Sequence, residues 1–262
     1  MPQKWEIYFF RFFIFWFAIG VVLLSFDLVP PWLEWANIVF LVTSGLLGIL
    51  FFFRSANPVL GLFLAGTVFV LSMVIESIGV HTGLYFGDYS YQTDFGPKIA
   101  GVPVTIGFAW VMVIATSHVL AAPAVHLLPA FRRTFYAGYA ALIAVTMDLA
   151  IDPVAFDVKQ YWIWHDGGLY YDIPFSNFAG WFFLSFVLHL VIAGLLFRGR
   201  DWYNGRSVFW TERMYYLYGM MTGMFIIISL VNGLFLAAGL AGGLTVLYYY
   251  LHRLMKRRLE DD

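Results

Sequence analysis

The chain has no cysteine among its 262 residues. That excludes disulfide bridges, thiolate metal sites and cysteine nucleophiles, and leaves the redox compartment open. Charge is scarce as well: Asp, Glu, Lys and Arg fill 12% of positions against 61% hydrophobic residues, and the mean hydropathy is +0.79. This composition is far from that of an ordinary water-soluble domain and reads as a polytopic membrane protein. Lysine occurs four times, at Lys4, Lys98, Lys159 and Lys256, always in a terminus or loop, so a retinal Schiff base inside a helix is excluded. A glycine-rich nucleotide loop, a serine-elbow motif and a histidine-rich di-iron array are also missing, which argues against an ATPase, a serine hydrolase and a desaturase-type hydroxylase. His118 and His126 fall toward one membrane face and His189 lies deep in an apolar run, so no metal triad emerges. No metal, redox cofactor or nucleic-acid partner is implied. Without a linker, low-complexity tract or internal repeat, residues 1–262 read as a single membrane domain.

Apolar runs long enough to span a bilayer fall at about Trp5 to Leu28, Trp32 to Phe53, Pro58 to Val80, Val104 to Leu120, Phe135 to Ile151, Pro174 to Phe197, Met214 to Val231 and Gly233 to Leu251. The expected fold is therefore an all-α transmembrane bundle of about eight helices. The first run is too long and aromatic for a signal-peptide core and lacks a small-residue cleavage site, so it is expected to span. Alternate gaps are basic: Lys4 and Arg11, Arg54, Arg132 with Arg133, four arginines from Arg198 to Arg213, and Arg253 to Arg258. The positive-inside rule then puts both termini in the cytoplasm of a multi-pass plasma-membrane protein, which requires an even number of helices. The remaining gaps, around Asp27 to Trp32, His81 to Pro103 and Asp152 to Ile173, are expected at the extracytoplasmic face. They carry most of the acids.

Asp148 and Asp152, in Met147-Asp148-Leu149-Ala150-Ile151-Asp152-Pro153, place two carboxyls one helical turn apart at the end of an apolar run. A charged side chain in hydrocarbon costs roughly 2.5–3.5 kcal/mol on insertion scales, so intramembrane acids read as functional. Pro153 marks the helix boundary. Glu76, about a turn before the end of the third run, reaches the same face by the inferred topology. A carboxyl shielded from water beside another carboxyl favours the proton-bearing form that serves as a general acid. The plainer alternative is a structural hydrogen bond or a pair with a buried arginine. No Arg or Lys lies in the outer half of any predicted helix to make that pair.

The flanking loops, His81-Thr82-Gly83-Leu84-Tyr85-Phe86-Gly87-Asp88-Tyr89-Ser90-Tyr91 and Tyr161-Trp162-Ile163-Trp164-His165-Asp166-Gly167-Gly168-Leu169-Tyr170-Tyr171, combine glycines and aromatic residues. An interfacial aromatic belt accounts for some of these rings. It needs neither clustered glycines nor Asp88, Asp157, Asp166 and Asp172, and loops of this length are more often functional than spacers. Candidate substrate-binding residues are His81, Tyr85, Trp162, Trp164, Tyr170, Tyr171, Asn177 and Trp181, with aromatic faces suited to stabilising a cation in a dry pocket. Ser176 is expected to cap the sixth helix. Asn177 either shares that role or orients a water or carboxyl in the pocket.

The set Glu76…Gly83-Leu84-Tyr85-Phe86-Gly87…Val102-Pro103, the Asp148–Asp152 run, Trp162-Ile163-Trp164…Gly168-Leu169-Tyr170-Tyr171-Asp172-Ile173-Pro174…Asn177…Gly180-Trp181 resembles the integral-membrane carotenoid biosynthesis family, which includes gamma-carotene and bisanhydrobacterioruberin hydratases. The resemblance covers roughly Glu76 to Trp181. It implies a cofactor-independent hydro-lyase that adds water across the terminal double bond of an acyclic carotenoid end, giving a tertiary alcohol. Its partners would be the carotenoid, water and the lipid bilayer, and association with other enzymes of the pathway is compatible with it. The residues fit that reaction: Asp148 as proton donor, Asp152 or Glu76 as the group that positions and deprotonates water. Three other readings stay open. A lycopene cyclase-like enzyme starts with the same protonation, a prenyltransferase or elongase would use the aspartates on magnesium diphosphate, and a transporter or carotenoid-binding protein would use the acids as a relay or not at all.

Overall fold

Hydrocarbon offers no partner to a free backbone N–H or C=O, so each long apolar run closes its hydrogen bonds internally as a helix. The computed structural model describes residues 2–197 and 207–261. Its long helices are α1 (Lys4–Ser25), α2 (Ala36–Ser55), α3 (Pro58–Thr82), α4 (Val104–Ala121), α5 (Arg132–Pro153), α6 (Phe175–Leu196), α7 (Val208–Val231) and α8 (Phe235–Asp261), the expected all-α bundle. Hydropathy misjudged several ends. Pro30 and Pro31 force a 3-10 turn, Pro31–Leu33, ahead of α2. α7 starts at Val208 rather than Met214 because the Ser207 hydroxyl accepts the Trp210 N–H at 3.4 Å. α8 continues through its charged last turns, which apolarity alone cannot see. Arg198, Arg200 and Arg206 of the basic gap lie outside the described residues.

Among the described residues, seven helices are long and apolar enough to cross a membrane, and α5 is not one of them. It carries Arg132, Arg133, Asp148 and Asp152, and it packs against α4, α6, α7 and α8. Protein rather than lipid therefore surrounds much of its polar surface. Contacts between helix ends fix the directions. Arg54 at the end of α2 pairs with Glu6 at the start of α1 at 2.7 Å. Arg213 of α7 lies over the Phe10 ring of α1, Arg133 of α5 donates to the Phe197 carbonyl beyond α6 at 3.5 Å, and His252 of α8 sits 3.0 Å from the Leu120 carbonyl of α4. Successive helices thus alternate in direction, and the starts of α1, α5 and α7 share one end of the bundle with the end of α8.

The opposite end holds the two long loops, which are not independent. β1 (Tyr89–Tyr91) from the first pairs antiparallel with β4 (Trp162–Trp164) from the second. A smaller hairpin, β2 (Lys98–Ile99) with β3 (Val102–Pro103), leads into α4. Pro153 does end α5, and the chain continues as a π-helical turn, Val154–Val158, before β4.

Small residues let helices approach where the hydrophobic effect cannot press them together. A Cβ at Gly45 of α2 would lie 2.5 Å from the Phe108 carbonyl oxygen of α4, whereas one at Gly66 of α3 meets nothing within 4 Å. Gly45→Ala is expected to destabilise the protein by about 1–3 kcal/mol through overpacking. Gly66→Ala should leave stability unchanged or raise it by about 0.5–1 kcal/mol through helix propensity. Thermal unfolding of the two variants in detergent checks the contrast.

Candidate active site

Glu76 on α3 and the Asp148–Asp152 pair on α5 line one cavity of about 130 Å³ at the loop end of the bundle. The three acids are only 6%, 1% and 2% exposed, so each depends on protein donors. They find them in different ways. The Asn177 side-chain amide, near the start of α6, donates to Asp148 Oδ2 at 2.8 Å and to Asp152 Oδ2 at 2.5 Å. One nitrogen thereby serves both carboxyls. The Trp162 indole N–H supplies Asp152 Oδ1 at 3.0 Å. Glu76 receives the Trp110 indole N–H on Oε1 at 2.8 Å, and the hydroxyls of Tyr89 and Tyr91 on Oε2, the latter at 3.4 Å.

Local sequence explains why these groups meet. In β1 and β4, alternate residues face the same side, and the register pairs Tyr89 with Trp164 and Tyr91 with Trp162. All four rings line the cavity. Ser90 and Ile163 take the other face, where Ser90 Oγ meets His165 Nε2 at 3.1 Å. Gly180 permits the first loop to lie on α6, because a Cβ there would stand 2.5 Å from the Tyr85 carbonyl oxygen. One turn along α6 from Asn177, Trp181 stacks on Trp110 with centroids 4.2 Å apart. The cavity thus has aromatic walls around a carboxyl floor.

Electrostatics around the loops keep the donors in place. Burial, and then the nearby Glu76 carboxyl, push the Tyr89 and Tyr91 phenols well above their ordinary range, so both remain hydroxyl donors. Burial pushes Tyr161 at the rim up to about 12. The Lys159 ammonium, itself lining the cavity, reaches Asp27 Oδ1 at 2.8 Å and holds that carboxyl below its usual range. This pair ties the end of α1 to the segment after α5.

The residues singled out from sequence do not all converge. Glu76, Asp148, Asp152, Trp162, Trp164, Asn177 and Trp181 line the cavity. His81 and Tyr85 stand away from it. Five positions along a helix turn the side chain by about 140°, so His81 points away from the face of Glu76, and its Nδ1 lies 2.7 Å from the Ser77 carbonyl. Tyr85 is half exposed. Tyr170 and Tyr171 brace the site from outside: the Tyr170 hydroxyl donates to the Leu149 carbonyl at 2.8 Å, and the Tyr171 hydroxyl accepts the Ala237 N–H at 3.2 Å. Tyr171 and Asp172 are both left-handed, at φ 52° and 56°, as a tight turn between Tyr170 and Ile173 requires. Ser176 does not cap α6, since its hydroxyl donates to the Phe86 carbonyl at 3.1 Å.

Sequence reading passed over Trp110, Tyr89 and Tyr91 as site residues. The Tyr-Ser-Tyr alternation opposite Trp-Ile-Trp was the available signal for the tyrosines. Trp110 offered none, being one more ring in an apolar helix. Among the described residues no group of three or more His, Asp or Glu is arranged to hold a metal ion.

Known proteins give this geometry a context. The chain is similar to the bisanhydrobacterioruberin hydratase of Haloarcula japonica, with 29% identity over 136 residues that cover 48% of this chain and 45% of that protein. The match thus spans less than half the length of that relative. No solved structure matches the chain. The family model described as carotenoid biosynthesis protein matches residues 36–248, a span that contains all three acids, Asn177 and both aromatic strands. The chain belongs to the carotenoid biosynthesis protein family.

Proposed function

We propose that the protein hydrates the terminal trisubstituted double bond of an acyclic carotenoid end group, with the site near the extracytoplasmic face of the membrane. The observation that carries this reading is the Asn177 amide shared by two buried aspartates inside an aromatic cavity. Two carboxyls held this close favour a single shared proton, as in other carboxyl pairs. That leaves one acid and one base side by side.

In the proposed reaction Asp148 gives its proton to the alkene carbon that bears one hydrogen, and the π pair forms the new C–H bond. The cation develops on the dimethyl carbon, where aromatic faces attract it. Water attacks that carbon and loses a proton to Asp152. Passage of that proton from Asp152 to Asp148 restores the starting state, and the net change is addition of one water. The water oxygen needs a donor in a dry cavity. Trp164 offers one, since its indole N–H is buried with no hydrogen-bond partner and its ring lines the cavity. Glu76, already receiving three donors, has a positioning role for Tyr89, Tyr91 and Trp110.

The relative named a hydratase supports water addition over ring closure. Diphosphate chemistry is less well supported, because Asn177 and Trp162 donate to three of the four aspartate oxygens and Asp27 pairs with Lys159. Basic gaps at the end where the chain termini lie support a cytoplasmic location for that end.

Co-expression with a pathway that makes an acyclic carotenoid should yield a pigment heavier by one water. In deuterium oxide, one deuterium should appear on the carbon beside the tertiary alcohol. A pigment of unchanged mass and shortened chromophore means cyclisation instead. Asp148→Asn should fold normally and lose at least about 10²-fold in conversion, the usual worth of a positioned proton donor. Asn177→Leu leaves buried acceptors without their donor and should lower stability by about 1–3 kcal/mol as well as conversion. Melting in detergent together with pigment analysis separates these two effects.

A further inference from the structure

A second apolar crevice, of about 170 Å³, runs between α1, α2 and α7 and has no role in the chemistry above. Leu24, Asn37, Phe40 and Met224 line both this crevice and the acid cavity, so the two spaces adjoin there. Beyond these shared residues the crevice is walled by Trp16, Ile19, Gly20 and Leu23 of α1. This part of α1 is peripheral: from Ile14 to Leu24 none of its residues is buried. Phe13 and Phe17 of α1 stack on Phe40, with centroids 5.8 and 6.4 Å apart. The Asp27–Lys159 pair ties down the far end.

We propose that the crevice holds the polyene tail of the substrate and opens sideways to the lipid. The proposal rests on the hydratase reading for what sits at the acids, and adds where the rest of the molecule goes. Three observations converge on a polyene. The crevice shares four lining residues with the acid cavity, so a chain held in it lies next to the reacting end. Apart from Asn37 and the Trp16 indole N–H, which donates to the Ala36 carbonyl at 3.3 Å, the crevice lining is apolar and suits a hydrocarbon. A carotenoid is comparable in length with the roughly 30 Å hydrocarbon core, far longer than the cavity, and its unreacted portion must leave the protein through an apolar opening. An open-ended crevice does not measure chain length. Selectivity then lies in the end group at the acids, and a substrate with two such ends leaves and returns reversed for a second round.

The test plugs the crevice without touching the acids. A side chain at Gly20 would project into free space, since a Cβ there meets nothing within 4 Å. Gly20→Trp is the first variant and Leu23→Trp the second, should the first misfold. Both are purified in detergent from a polyene-producing host, their folding is checked by melting, and the polyene bound per protein is read from its absorbance. Conversion is then compared for the long carotenoid and for a short acyclic terpenoid with the same end group. The expected result is loss of bound polyene and at least about tenfold lower conversion of the long substrate, with the short one unaffected. Equal polyene binding and equal conversion in folded variants overturns the proposal, as does equal loss for both substrates. Displacement of a phospholipid rather than a polyene from the wild-type protein overturns it too. If the wild type converts neither substrate, the hydratase reading fails while pigment loss in the plugged variants still reports on the crevice.

Discussion

Two carboxyls a helical turn apart repel one another when both are ionised, and each is costly to bury without a donor. The Asn177 amide answers both difficulties with one group, because its two N–H bonds point at two different residues of α5. Much of the loop architecture serves that contact. Asn177 reaches α5 only if α6 starts immediately beside the end of α5, and that proximity depends on the tight turn at Tyr171–Asp172 and on Gly180 yielding to the Tyr85 carbonyl. Trp162 then completes Asp152 from the opposite side. Loss of the amide would leave the pair held from one side only.

The rest of the bundle behaves as a solvent for α5. That helix is too polar for hydrocarbon, and α4, α6, α7 and α8 supply the surroundings that lipid cannot. Glu76 is treated differently. It sits on α3 and is satisfied by two loop tyrosines and a tryptophan of α4, so the same loop strands that wall the cavity also stabilise an acid inside it. Wall and floor are mechanically one unit.

The bundle was legible in the sequence because apolar run length maps directly onto membrane thickness. The acids were legible because a carboxyl in such a run stands out on cost alone. Asn177 was legible as a polar residue beside them, although its divided hydrogen bonding was not. What stayed hidden is non-local or angular. Nothing in the neighbourhood of Tyr89 or Trp164 says that the two loops pair, since strand pairing across more than seventy intervening positions leaves no local trace. Trp110 is a single ring in an apolar stretch of α4 and looks like packing. His81 misled for the opposite reason: nearness in sequence to Glu76 concealed a different helical azimuth.

The β1–β4 pairing sets four rings against the cavity through a two-residue period. A slip of one position along either strand would turn its two rings outward and bring Ser90 or Ile163 in. The segments joining these strands to α3, α4, α5 and α6 therefore tolerate residue replacement far better than a change in length. An insertion of one residue between Gly83 and Tyr89 would preserve every helix and still exchange aromatic wall for hydroxyl. Evolutionary drift in this part of the chain is constrained by parity as much as by chemistry, and relatives that keep the same wall should differ there by whole pairs of residues or by changes confined to the far side of the strands.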